Sequence, residues 1–111
     1  MTTDNQQGRL YLVGVGPGDP ELMTCKAARI LDQTGIWVAP KAKKNGNSSA
    51  LHIAAAQVGM AEKTVLELRF PMVKVHLGRK QADEVVQAWR QAAAVVWGHL
   101  EQGEDVAFPT L

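Results

Sequence analysis

Residues 9–21 read RLYLVGVGPGDPE and constrain the chain more than any other stretch. An apolar run through Val15 leads into Gly14-Val15-Gly16-Pro17-Gly18-Asp19, and a helical pattern begins directly afterwards. Strand, glycine turn, helix is how an α/β domain brings its backbone close to a small-molecule ligand. Glycines at 14, 16 and 18 let the chain turn sharply and let a ligand approach the main chain. Pro17 stiffens the loop by fixing φ. Asp19-Pro20-Glu21 reads as N-cap, proline at the first helical position, and an acid in the first turn.

The turn is not the dinucleotide fingerprint. Its spacing is G-x-G-P-G-D, not G-x-G-x-x-G. A nicotinamide site also wants an acid after the second strand. That strand here ends Trp37-Val38-Ala39-Pro40-Lys41.

Residues 1–8 read as a disordered lead-in. Strand one is expected over 9–15, apolar enough to be covered on both faces. Helix one follows over 20–33, with Met23, Ala27, Ile30 and Leu31 as its buried stripe. Strand two is expected over 36–39, and residues 40–47, PKAKKNGN, form a loop. Ser48 or Ser49 caps helix two, which Gly59 ends. Strand three spans 64–68, and residues 69–78 are irregular. Helix three runs over about 79–102, with Val85, Trp89, Ala92, Ala93, Val96 and Leu100 on one side. Strand four opens at 105–108. This βαβαβαβ order predicts a three-layer α/β/α domain with a mostly parallel sheet and right-handed crossovers. The ligand then sits beyond the carboxyl ends of the strands, where the loops 14–19, 40–47 and 69–78 emerge. The sequence stops as strand four reaches that edge, which leads to the expectation of a piece of a longer protein.

A chain of 111 residues suffices for one domain with a real core. Its net charge of +1 gives no bulk field for nucleic acid or membrane. The single Cys25 excludes an internal disulfide and suits a reducing compartment; it is expected in the core. There is neither a signal-peptide layout nor a membrane-length apolar run, so a cytoplasmic protein is the default. No His/Cys/Asp spacing suggests a metal site.

The stretch GRLYLVGVGPGDPELMTCKAARIL resembles the opening of the tetrapyrrole (corrin/porphyrin) methylase family. APKAKKNGNSSALHIA, LRFPMVK and EDVAFPTL look like the branch that methylates precorrin-2, or its cobalt-containing counterpart, at the C20 meso carbon. The resemblance covers residues 8–111 and implies S-adenosylmethionine as methyl donor. It also implies a two-domain protein, of which residues 9–111 are the N-terminal α/β domain, and a homodimer when full length. Such a protein continues after residues 107–111 with a Gly-Asp-Pro loop that touches the cofactor, so this piece alone is expected to be inactive.

On that resemblance Gly16, Pro17, Gly18 and Leu111 are the cofactor-binding candidates. The other reading of the loop is a tight turn that packs strand against helix. Asp19, Lys41, Lys43 and Arg69 are the substrate-binding candidates. Asp19 reads first as a helix N-cap, and the lysines equally as a solvated loop. An anionic tetrapyrrole carries many carboxylates, which a basic loop would attract. Some members of the family have an aspartate base after strand two; Pro40 stands at that position. His76 is the candidate proton acceptor in the irregular segment. His52 and His99 are expected on the surface. A different methylase of the same family and a non-enzymatic ligand-binding α/β domain remain open.

Overall fold

The computed structural model describes residues 6–41, 47–71 and 83–111. The elements are β1 (Leu10–Gly14), a 3₁₀ turn (Pro20–Leu22), α1 (Cys25–Gln33), β2 (Ile36–Lys41), α2 (Ser49–Val58), β3 (Thr64–Arg69), α3 (Asp83–Glu101) and β4 (Val106–Thr110). The four strands form one parallel sheet in the order β1-β4-β2-β3. The connections from β1 to β2 and from β2 to β3 run the same way across the sheet, and the third returns. Right-handed crossovers then place α1 and α2 on one face and α3 on the other.

The two cores match that placement. Val13, Val15, Trp37 and Ala107 pack with Ala27 and Leu31 of α1 and Ala50, Ile53 and Ala54 of α2. Ile36, Val38 and Val106 point the other way and pack with Val96 of α3, beside Leu66, Leu68, Phe70 and Phe108. Successive strand residues alternate faces, so one apolar run serves both layers. Central β2 is buried from Ile36 through Ala39, as expected for a strand covered on both sides.

Helix one differs from the expectation. Its first turn is a separate 3₁₀ turn capped by Asp19, whose carboxylate accepts from Glu21 N at 2.9 Å. Met23 then takes an extended conformation, and Thr24 caps α1 by accepting from Ala27 N at 3.1 Å. The Asp-Pro-Glu signal starts any helical turn, and two extended residues, Met23 and Thr24, divide this one from α1. Cys25 is a second correction. At the first position of α1 it is exposed rather than in the core.

The end of α1 is sealed by two side chains. Trp37 is fully buried, and its indole N–H donates to Leu31 O at 3.1 Å and Thr34 O at 2.9 Å. The Lys63 ammonium donates to Asp32 O at 2.6 Å and Thr34 O at 2.9 Å and lies 5.5 Å from the Trp37 ring centre. These bonds satisfy carbonyls that a helix end leaves without partners. At the same end of the sheet Gly8 N donates to Leu100 O at 2.8 Å and Arg9 N to Asp105 Oδ1 at 2.8 Å. Gln6 and Gly8, within the expected lead-in, therefore lie against the turn after α3: a Cβ on Gly8 would sit 1.9 Å from Glu104 O, and one on Gly103 3.3 Å from Gln6 O.

Trp37→Phe removes the indole donor and leaves Thr34 O to Lys63 and Leu31 O to the Thr34 N–H at 3.3 Å. It is expected to lower unfolding stability by about 1–3 kcal/mol in a urea titration, with an unchanged m-value.

Candidate functional site

Four strand ends and one helix end meet at the carboxyl edge. β4 lies between β1 and β2, so its last residues come beside the glycine loop after β1. Val15 N donates to Thr110 O at 2.8 Å, and Gly16 faces Leu111. On the other side Phe70 N donates to Lys41 O at 2.7 Å and ties β3 to the end of β2. The edge holds a cavity of about 480 Å³, lined by Lys41, Ser48, Phe70, Phe108, Thr110 and Leu111 among others. That volume is in the range of small-molecule sites.

The lining is mostly apolar with few polar groups. Phe70 and Phe108 meet edge to face, ring centres 5.3 Å apart, and form its aromatic wall. Ser48 caps α2 by accepting from Leu51 N at 3.2 Å, so the positive end of that helix opens at the rim. Lys41 lines the cavity, and its ammonium lies 3.5 Å from Glu67 Oε2.

The glycines of the loop are not demanded by the folded chain at two of their three positions. Neither Gly14 nor Gly16 has positive φ. Among the described residues a Cβ on Gly14 would meet no atom within 4 Å, and the three atoms nearest to one on Gly16 would be Leu111 atoms at 3.8–3.9 Å. Both positions have room for a methyl group. The space a side chain would take lies open to a ligand approaching the main chain.

The remaining sequence candidates divide clearly. Gly16 and Leu111 come together. Pro17, Gly18 and Asp19 are exposed beside them, and the Asp19 carboxylate is engaged in capping. Lys41 lines the cavity, as the last residue of β2 rather than part of a loop. Arg69 does not; it ends β3 and lines a separate depression with Glu67, against α3. Lys43 and His76 lie outside the described residues. His52 is exposed, and His99 is partly exposed with its Nδ1 2.9 Å from Glu104 Oε1. Sequence reasoning missed Phe108 and Ser48 as cavity residues. Each had a signal: an aromatic at the end of strand four, and a cap facing the ligand edge. No cluster of metal-ligating side chains occurs among the described residues. No described helix is long and apolar enough to cross a membrane.

A parallel α/β sheet with a glycine loop and a cavity at its carboxyl edge defines a class of ligand-binding domains. Residues 9–111 match the model of the tetrapyrrole (corrin/porphyrin) methylases, and the chain belongs to that family. It is 37% identical over 105 residues to a cobalt-precorrin-2 C(20)-methyltransferase of Salmonella typhimurium, covering 94% of this chain and 41% of the relative. It is 33% identical over 104 residues to a precorrin-2 C(20)-methyltransferase of a Sinorhizobium species, covering 90% and 41%. A siroheme synthase of Ruthia magnifica is 44% identical, over 45 residues only. The chain spans about two fifths of the length of the two methyltransferases it matches almost throughout.

Gly16→Ala is expected to fold with stability within about 1 kcal/mol of the parent in thermal and urea melts. A loss several times larger would show that the turn itself requires glycine there.

Proposed function

We propose that the chain is the N-terminal domain, residues 9–111, of a two-domain enzyme that transfers a methyl group from S-adenosylmethionine to C20 of precorrin-2 or its cobalt-containing form. The observation that carries this reading is the room at Gly14 and Gly16. The fold tolerates side chains there, so the bare main chain is explained by a ligand packed against it. The near full-length match to two C20-methyltransferases supports the choice of branch. The apolar groove formed by Leu10, Leu12, Trp89, Trp97 and Leu100 supports further chain or a second subunit against this domain. In it Leu12 is 72% exposed and Trp97 46%.

The residues present fit the methyl donor. Gly16, Pro17, Gly18 and Leu111 would hold it, with its backbone-facing side against residues 14–18. When bound, it supplies an electrophilic methyl on a positively charged sulfur. The domain's own residues orient and exclude water. The Phe70–Phe108 wall keeps one side of the cavity dry, and Lys41 anchors a substrate carboxylate. Held in that way, the electron-rich meso carbon is kept in line for attack, so positioning supplies most of the rate. Asp19 caps and borders the loop, Arg69 adds positive charge beside the cavity rather than in it, and Lys43 is a further basic residue for the substrate's carboxylates. A homodimer in the cytoplasm completes the reading.

The test is methyl transfer by the full-length protein, given S-adenosylmethionine and enzymatically made precorrin-2 with and without cobalt. One added methyl at C20, by mass spectrometry and NMR, is the expected product. Methylation elsewhere on the ring would move the protein to another branch, and none on either substrate would discard the C20 reading. In the same protein Lys41→Met is expected to weaken precorrin-2 binding about fivefold while leaving the affinity for S-adenosylmethionine unchanged.

A further inference from the structure

We propose that Glu67 is an internal counter-ion for Lys41, holding its ammonium at the cavity wall until a substrate carboxylate displaces it. Glu67 thereby tunes how tightly the site grips an anionic ligand. The inference rests on the reading of Lys41 given above and adds a residue outside the cavity lining.

The sheet register creates the need for such a group. Lys41 is directly opposite Arg69, and Ala39 is opposite Glu67. Residues 41, 67 and 69 share one face by strand alternation. Two cations directly opposite one another on a sheet repel. Glu67, diagonal to one and two residues from the other, offsets that repulsion. Among the described residues the ion pair Lys41 makes is with Glu67, through one contact of 3.5 Å.

The two partners are unequally placed. The Lys41 side chain is 17% exposed and the Glu67 side chain 62%. A mostly covered ammonium needs a partner, whereas a carboxylate in water loses little on release. Lys41 lines the cavity on a long flexible side chain, so its tip can turn from Glu67 to an incoming anion without moving β2. At 3.5 Å, with the carboxylate side largely in water, the pair is weak enough to exchange.

The chemistry gives the exchange a purpose. Methylation at a ring carbon leaves the carboxylates of a tetrapyrrole unchanged. Lys41 therefore grips substrate and product alike, which is binding that does not lower the barrier. A counter-ion that competes for the ammonium weakens both complexes equally and lets product leave.

The experiment is a double-mutant cycle in the full-length protein, with anaerobic precorrin-2 as probe and binding read by fluorescence quenching. Glu67→Gln is expected to tighten binding about two- to fivefold at low salt. The gain should vanish in a Lys41→Met background and shrink at high salt. Product release should slow with it, lowering kcat where release limits turnover. Unchanged or weaker binding in Glu67→Gln, with Lys41→Met still weakening it, would overturn the counter-ion role and leave the reading of Lys41 standing. Tightening that persists without Lys41 would reduce Glu67 to a general field effect and overturn the proposal. No effect of Lys41→Met would overturn both.

Discussion

Everything at the carboxyl edge depends on the insertion of β4 between β1 and β2. The pairing runs from Val106 N on Arg9 O, at 2.9 Å, to Val15 N on Thr110 O, at 2.8 Å. It joins the first strand of the chain to the last, and its closure entropy is offset by five registered residue pairs and a shared core. Its consequence is local and chemical. Leu111 arrives beside Gly16, and Phe108 arrives beside Phe70. Had β4 joined the free edge of β3, the glycine loop and the aromatic wall would belong to different ends of the sheet.

The two edges of the sheet are built for different ends. At the amino edge the backbone groups are tied down, by Trp37 and Lys63 on α1 and by Leu100 and Asp105 on the incoming chain. Those bonds run from 2.6 to 3.1 Å, and the cavity of about 360 Å³ beside them is lined by Gly35, Gly59 and Lys63 among others. At the carboxyl edge the strands end in a cavity, the glycine loop is exposed, and Lys41, which lines the space, holds its partner loosely. A rigid amino edge lets the carboxyl edge carry open space without losing the fold.

Much of this was legible in the residues, for identifiable reasons. The apolar run before Gly14 and the stripes of Ala27, Leu31, Val85, Ala92 and Val96 reported element type and facing, because periodicity is a local property. Sheet order was not legible. The βαβαβαβ pattern is common to several orders, and only long-range packing places β4 second. The start of helix one was misread because Asp19 caps a 3₁₀ turn with the same geometry it would bring to an α-helix. Cys25 was misplaced because its neighbours in sequence say little about which side of α1 faces water. Lys41 and Arg69 are alike as sequence, basic residues at the ends of adjacent strands. In the fold they part, with Lys41 lining the cavity and Arg69 lining the depression against α3.

The central claim is that the glycine loop and the end of β4 together hold the methyl donor. Hydrogen–deuterium exchange on the full-length protein, with and without S-adenosylhomocysteine, tests it directly. The account expects slowed exchange in peptides spanning residues 14–18 and 108–111, with the amino-edge amides near Gly8 and Thr34 unchanged. Protection confined to other regions, with both of these segments exchanging as before, would contradict it.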